Sequence, residues 1–347
     1  MKKTLVALSV LAAAANVNAG EIYATDASKV SLSGEVDAYV ATTDVTNASN
    51  VNTKQDPYVV VWGKIQLDAE HKVNDALTAF ASFEIESASD VYVGDSDNNA
   101  KFDDLYVGVK TDVWGVAVGE VGDVAASTDA IEKGDITNEG NFFGAAGGHR
   151  SESDGQGIVF KSKLGDSLVF VADLNTEAND KVDNTYGASL DWSINDMFTL
   201  GGSFVSGESA ENVDYSLAGV AASAEYKGFL FAASYGQFEG VNDWGLFGTT
   251  TSYFDGDAYG VAAQYTIEKT RLYATYDVME LDEVQVAGGS NLNAKGDLTN
   301  LVVGVDYALL ANVKVFAEYQ AADTSDDFSA GANQDGDSFI LGAYYTF

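Results

Sequence analysis

Sixteen segments of the chain alternate apolar and polar residues with a period of two, and this pattern constrains the fold more than any other feature. In residues 30–40, for example, Val36 and Val40 fall on one face while Glu35 and Asp37 fall on the other. Successive side chains of a β-strand point to opposite faces, so each segment predicts a strand with one apolar and one polar side. Short turns and longer polar loops separate the segments alternately.

The last ten residues, 338–347, show the pattern clearly. Phe339, Leu341, Tyr345 and Phe347 share one face, and the opposite face is small or polar at most positions. A strand that is apolar on the outside, polar on the inside and aromatic at its end suits the lipid-facing wall of a transmembrane barrel. We expect this terminal strand to pair with the first one, because closing the sheet removes its open edges.

The number of segments distinguishes a barrel from a soluble sandwich. A sandwich buries its apolar faces in a dry core, but sixteen such segments are too many for a simple core, and no helical segment covers them. A closed barrel with lipid outside and water inside satisfies both faces, and sixteen strands leave room for an aqueous channel. The sequence therefore predicts an all-β fold, a transmembrane antiparallel 16-stranded β-barrel.

The N-terminus has the pattern of a secretory signal peptide. Lys2 and Lys3 give a basic start, residues 4–15 form a short apolar run, and residues 17–19 resemble a cleavage site. The run is too short to span a membrane as an anchor. We expect residues 1–19 to be removed and residues 20–347 to form the exported barrel domain, without a transmembrane helix.

Composition excludes several classes of function. The formal net charge is −35 and the chain has only two arginines, so nucleic acid is not an expected partner. There is no cysteine, and the two histidines are distant in sequence, which argues against a zinc site or a histidine-based catalytic triad. We expect neither an enzyme nor a cofactor.

The regular alternation is interrupted once for about thirty residues, at positions 121–150. This stretch contains Asp129, Glu132 and Asp135, followed by an aromatic pair and a glycine-rich exit that leads to Arg150. It is too long for a plain connection between adjacent strands. On the residues alone, it is either a functional loop or a solvated external loop, acidic like the rest of the chain.

Several of these stretches resemble the trimeric general porins of Gram-negative outer membranes. Residues 105–114 are similar to that family's fourth strand and its turn, Phe142-Phe143 resembles the aromatic pair late in its third external loop, and Phe83-Glu84 resembles an aromatic–Glu pair of its third strand. The resemblance implies a homotrimer in outer-membrane lipid. It also implies that the third external loop, residues 121–150, folds into the barrel and forms a constriction where acids face basic residues.

The resemblance also indicates which residues form the pore constriction, and where this chain departs from the family. The implied set is Asp129, Glu132, Asp135, Arg150, Glu84, Glu120 and Lys64. The family commonly places several arginines on the facing wall. Here Lys64 alone stands near that place on the second strand, and Glu120 occupies a position where an arginine is usual. The lumen should therefore be more negative than in the family, which favours cations.

The function predicted on these grounds is a water-filled, cation-selective outer-membrane porin for passive diffusion of ions and small hydrophilic solutes. Two alternatives stay open at this point. One is a substrate-specific porin with its own sugar or peptide site. The other is a plugged barrel that serves as a structural or receptor-like surface protein.

Overall fold

The chain is described by a computed structural model that covers ten stretches of the sequence. These are residues 20–47, 50–87, 91–92, 100–122, 124–145, 157–244, 246–248, 252–286, 292–328 and 333–347. The predicted signal peptide at residues 1–19 and Arg150 both lie outside the described residues.

Sixteen long strands follow one another in this described part of the chain. They are β1 Ser28–Thr46, β2 Asn52–Asn74, β3 Leu77–Ser87, β4 Ala100–Lys110, β5 Trp114–Gly119, β6 Gly157–Leu164, β7 Leu168–Asn175, β8 Thr185–Ser193, β9 Phe198–Ala210, β10 Val213–Tyr226, β11 Phe229–Val241, β12 Ser252–Ile267, β13 Thr270–Val286, β14 Asp297–Leu310, β15 Val313–Thr324 and β16 Asp335–Thr346. Among the described residues, no helix has both the length and the apolar character needed to cross a membrane.

The sheet is closed, as the sequence predicts. Each strand pairs antiparallel with the next, and β16 pairs with β1 with Ala343 opposite Ala38. At the seam, the Phe347 N–H donates to the Gly34 carbonyl at 2.9 Å and the Gly34 N–H donates back at 3.0 Å. A further short strand, Gly20–Ala24, pairs with the start of β1. Closure gives each long strand a hydrogen-bonded neighbour on both sides.

The two faces of the wall separate as predicted on the closing strand. Phe339, Leu341 and Tyr345 are exposed on the outside, whereas Ser338 on the other face is buried. The inner face is not polar everywhere, however. Between β10 and β15 it carries apolar side chains such as Leu217 and Met279, which belong to a cluster inside the barrel.

The strands are longer than the alternating segments of the sequence. The alternation predicts Pro57 as the first residue of β2, but the strand begins at Asn52. The pairing of β1 with β2 shifts register between Ala41 and Thr43, just where Pro57 stands on the partner strand. A proline has no N–H for the ladder and is tolerated at such an irregularity. Strand pairing therefore continues beyond the part of the wall whose sequence alternates.

Candidate functional site: the loop between β5 and β6 and the walls around it

The interruption predicted at residues 121–150 is the connection between β5 and β6. Residues 121–145, with the exception of Asp123, are described and are here called the β5–β6 loop. Its regular structure is a single turn of 3-10 helix, Ser127–Ala130. The rest of the loop takes its shape from contacts with the barrel wall.

The first part of the loop is fixed to the wall by polar contacts with β7 and β8. The Ser127 N–H donates to Asp173 at 2.5 Å, and Lys133 forms an ion pair with Asp191 at 2.8 Å. Within the loop, Asp129 accepts a hydrogen bond from the Ala126 N–H at 3.0 Å, which stabilises the start of the 3-10 turn.

Glycines of the wall let the loop lie directly on the strands. A Cβ at Gly201 of β9 would lie 1.7 Å from the Ala130 carbonyl oxygen, and one at Gly236 of β11 would lie 2.2 Å from the Ala145 carbonyl oxygen. A Cβ at Gly187 of β8 would come within 2.0 Å of the Ser127 hydroxyl. No real side chain fits at such distances, so these glycines are the surface on which the loop lies.

Apolar side chains of the loop pack on the same wall. Ile131 is fully buried, and Phe143 joins it in the cluster inside the barrel. The cluster takes residues from the inner faces of several strands and from the connections near the ends of those strands: Val205, Tyr215, Leu217, Ala221, Phe238, Val241, Phe247, Phe254, Ala258, Met279, Leu281, Val284, Ala294, Leu298, Ala322 and Phe328. Burial of this area anchors the middle of the loop.

The tip of the loop is held by one carboxylate of β15. Glu318, which is 2% exposed, accepts hydrogen bonds from the N–H groups of Asn138 at 2.8 Å, Glu139 at 3.0 Å and Gly140. The Tyr273 hydroxyl donates to the same carboxylate at 2.5 Å. Three converging backbone donors on one anion form a strong, charge-assisted anchor.

Neighbouring strands complete this anchor. On β13, Arg271 pairs with Asp306 at 2.5 Å and donates to the Ile136 carbonyl oxygen at 2.7 Å. Also on β13, Asp277 accepts from the Phe143 N–H at 3.1 Å. On β16, the Tyr344 hydroxyl donates to Glu139. The loop thus contacts every strand from β7 to β16, which we call the docked wall.

Strands β1–β5 are here called the open wall. The start of the loop packs on this wall, with Val121, Val124 and Ala125 against Ala117, Phe80 and Tyr106, whereas β1 and β2 face the loop tip across a cavity. A cavity of about 710 Å³ is lined by Glu35 and Asp37 of β1, by Asn138 and Glu139 of the loop tip, and by residues of β13–β16 on the docked wall. The charged side chains on the polar face of the open wall and at the end of β5 are mostly acids: Glu35, Asp37, Asp68, Glu70, Glu84, Glu86, Asp103 and Glu120, with Lys29, Lys64, Lys72, Lys101 and Lys110.

Three lysines of the open wall form ion pairs with acids of the same wall. Lys64 lies 3.2 Å from Glu84, Lys101 lies 2.7 Å from Glu86, and Lys110 pairs with Glu70. The carboxylate oxygens of Glu84, Glu86 and Asp103 lie within 4.8 Å of one another. Because acids outnumber lysines, pairing leaves the open wall with an excess of negative charge.

The structure brings only some of the sequence-predicted site residues together. Lys64 and Glu84 form an ion pair on the open wall, and Glu120 follows β5 near Lys101. Asp129 lies close to Glu132, opposite Lys161 of β6. Asp135, further along the loop, accepts weakly from Thr137 at 3.4 Å.

Asp129 is the loop acid whose charge state is most affected by its surroundings. Its side chain stays accessible to water, but the surrounding wall displaces much of that water. This desolvation, together with the nearby charge of Glu132, raises the pKa of the Asp129 carboxyl to about 7, against the opposing effects of the Ala126 N–H and Lys161. Asp129 therefore changes its charge near neutral pH.

The sequence pattern does not identify the residues that hold the loop, above all Glu318, Tyr273 and Arg271. The sequence contains one indication of these contacts: the alternation puts Arg271 and Tyr273 on the polar face of β13, together with Asp277. The alternation places these side chains inside the barrel. It does not say that a loop 130 to 180 residues away in sequence would meet them.

Comparisons with known proteins agree with this architecture. A sequence profile described as Gram-negative porin matches residues 6–327. Among curated proteins, the chain is 26% identical to porin-like protein H of Photobacterium profundum, over 93% of this chain and 95% of that protein. It is 23% identical to outer membrane porin protein OmpD of Citrobacter koseri, over 96% of this chain and 76% of that protein.

Solved structures show the same fold. The OmpF protein of Salmonella typhi, solved as a complex with daunomycin, matches with a TM-score of 0.69 at 16% identity, over 94% of this chain and all of that one. OmpT of Vibrio cholerae, in a structure described as the trimer form, matches with a TM-score of 0.65 at 18% identity, over 93% of this chain and all of that one.

Proposed function

Since the chain belongs to the Gram-negative porin family, which places it among the channels of the outer membrane, we propose that it forms a water-filled, cation-selective pore. Ions and small hydrophilic solutes would diffuse through it passively. The observation that carries this proposal is the excess of acids on both sides of the passage, on the β5–β6 loop and on the open wall.

The path of the β5–β6 loop supports its role as the constriction. Its described residues touch ten consecutive strands, from Asp173 on β7 to Tyr344 on β16. A segment that contacts so much of the polar face of a closed barrel lies within the lumen. Away from the start of the loop, which packs on β5, the open wall would form the other boundary of the passage, and solutes would pass between the loop and that wall.

The charges at this passage support cation selectivity. Asp129, Glu132 and Asp135 belong to the loop, and Glu84 and Glu120 belong to the open wall. Cations on that side of the passage are partly neutralised, since Arg271 of the docked wall pairs with Asp306 and Lys133 of the loop pairs with Asp191. Carboxylates around a narrow aqueous passage with low-dielectric walls raise the local cation concentration and exclude anions.

Single-channel recording across a KCl gradient tests the proposal. We expect a reversal potential close to that of K⁺ at about 0.1 M salt, where the Debye length is ~10 Å and wall charges act across the lumen. At about 1 M the Debye length is ~3 Å and selectivity should weaken. Equal permeability of K⁺ and Cl⁻ at low salt would contradict the proposal.

A plugged barrel is the second candidate, and the apolar cluster inside the barrel favours it. Phe247 and Phe328, from the connections after β11 and β15, pack there with Phe143 of the loop and fill space beside the docked wall. We favour a conducting pore because charged side chains, among them Glu35, Glu139 and Lys314, line the cavity between the loop tip and β1. Absence of any single-channel conductance would favour the plugged barrel.

Export and assembly are further parts of the proposal. We infer that residues 1–19 act as a signal peptide and that the barrel assembles as a homotrimer in outer-membrane lipid. The trimer form of the OmpT protein supports the second point. The unboiled protein should migrate on a detergent gel as a compact oligomer, and the boiled protein near its chain mass. One unchanged band at the monomer mass would contradict the trimer.

A further inference from the structure

The cavity between the loop tip and β1 is a binding subsite: we propose that it holds the protonated amine of a small hydrophilic solute. This rests on the proposed function, since it assigns a solute class to a place on the proposed passage. The cavity has a volume of about 710 Å³. That is within the range of pockets that hold small molecules, roughly 300 to 1,000 Å³.

The lining of the cavity favours a cation. Four acids and two bases line it, and both bases have partners in the wall or the loop. Arg271 pairs with Asp306 at 2.5 Å. Lys314 donates to the Asn138 side chain at 3.3 Å and lies 5.0 Å from the centre of the Tyr344 ring. The acids Glu35, Asp37 and Glu139 face the same space.

Asp37 is the residue that points most directly to a ligand. Its side chain is 7% exposed and lines the cavity. Its carboxyl group shares a hydrogen bond with that of Glu35, but its Oδ1 atom is buried and, within the described part of the chain, no group donates a hydrogen bond to that atom. A buried carboxylate oxygen without a donor is unfavourable. An ammonium group entering the cavity would supply both a donor and the opposite charge.

The neighbouring cation on the open wall does not fill this role. Lys64 stands opposite Glu35 in the pairing of β1 with β2, but its ammonium group lies 3.2 Å from Glu84 and 5.7 Å from the centre of the Trp62 ring. Trp62 and Tyr39 add aromatic faces to the same cavity. Aromatic faces next to carboxylates attract organic cations more than anions or neutral solutes.

A matched pair of solutes tests the subsite. Glucamine is the 1-amino analogue of sorbitol, and its primary amine is protonated at neutral pH. Each solute is added in increasing concentration to single channels in dilute KCl. We expect a saturable decrease of the current with glucamine, and with sorbitol only the decrease that follows from the lower conductivity of the solution.

Three single-residue variants test whether glucamine blocks the current by binding in this cavity. Asp37→Asn should raise the half-blocking concentration of glucamine about tenfold, since a hydrogen bond to a charged group is worth roughly 1.5–3 kcal/mol. Glu35→Gln changes the more accessible acid of the cavity and should raise the half-blocking concentration less. It also tests the subsite if the Asp37 variant does not fold. Glu225→Gln is the control, because Glu225 is an exposed acid of β10 outside the cavity. It should leave the half-blocking concentration unchanged.

The outcomes separate this inference from the proposed function. If the wild-type channel conducts K⁺ selectively but glucamine and sorbitol act alike, the subsite is wrong and the channel assignment stands. Equal shifts for Asp37→Asn and Glu225→Gln would mean that only the general negative potential attracts the amine, which also overturns the subsite. Absence of conductance would contradict the proposed function itself.

Discussion

The docked wall and the open wall of the barrel are built from the same alternating strands, yet they do different things. On the docked wall, glycines and buried polar groups such as Gly201 and Glu318 are matched to the loop that covers them. On the open wall, Glu35 and Asp37 of β1 face a cavity, and other polar groups form ion pairs with one another, as Lys64 does with Glu84. In the proposed pore, one wall would position the constriction and the other wall would supply charge to the passage.

The difference shows how a barrel can hold an irregular loop in a fixed place. The loop has little regular structure of its own, so its backbone N–H groups need partners from elsewhere. The docked wall supplies them through Asp173, Asp277 and Glu318. Changes to the docked wall should therefore alter the size and steadiness of the pore, and changes to the open wall should alter its selectivity.

The largest expected effect is steric, at Gly201. In Gly201→Ala the new methyl would collide with the Ala130 carbonyl and push the loop off the docked wall, at a cost of about 1–3 kcal/mol. We expect lower single-channel conductance and loss of the folded gel band at a lower temperature. Gly202→Ala is the matched control, because a Cβ there would meet its nearest atom at 3.8 Å. If both variants had the same conductance and gel stability, the contact of Gly201 with the loop would not position the loop. The docked wall would then not differ from the open wall in this respect.

The anchor at Glu318 should have the next largest effect. Glu318→Ala leaves the N–H groups of Asn138, Glu139 and Gly140 without their shared acceptor, which costs about 1–3 kcal/mol for each buried group that stays unpaired. Single-channel records should show more open-channel noise and frequent brief closures. Asp323→Asn, an exposed acid on the same strand, should leave the record steady. If Glu318→Ala channels showed no more noise or closures than the wild type, Glu318 would not anchor the loop tip.

The acids of the loop should control selectivity and its dependence on pH. Asp129→Asn with Asp135→Asn should move the reversal potential toward zero in dilute KCl. Since the pKa of Asp129 is raised to about 7, its carboxylate is charged above that pH and neutral below it. Cation selectivity of the wild type should fall between about pH 8 and about pH 6, and the double variant should lose most of this change. Asp257→Asn, toward the outer rim, should have little effect on either property.

The smallest expected effect is on the open wall. Lys64→Gln removes a cation and leaves the Glu84 carboxylate less neutralised, so cation selectivity should increase slightly, with conductance nearly unchanged. Arg150→Ala should likewise preserve or increase selectivity, since it also removes a positive charge. A large fall in conductance for Lys64→Gln would mean that the open wall also positions the loop, contrary to the comparison.

Sequence reasoning reached the candidate site only in part. It identified the interruption in the alternation and the acids within it, and it assigned Lys64 and Glu84 to the wall, where they form an ion pair. It assigned the opposing charge to Arg150, which lies outside the described residues. It did not identify Arg271 or Glu318 as contacts of the loop, although alternation places both on an inner face.

The sequence by itself determines the strands of the barrel and the face on which each of their side chains lies. A period of two fixes the face on which each side chain lies, so sixteen alternating segments imply strands, an apolar outside and closure of the sheet. The path of the loop was decided only by the tertiary structure. The loop has no periodicity, and its position depends on contacts such as Gly201 with Ala130 and Glu318 with Asn138, which the folded barrel brings together from distant parts of the chain. Its steric fit and hydrogen bonds exist only once the wall has formed around it.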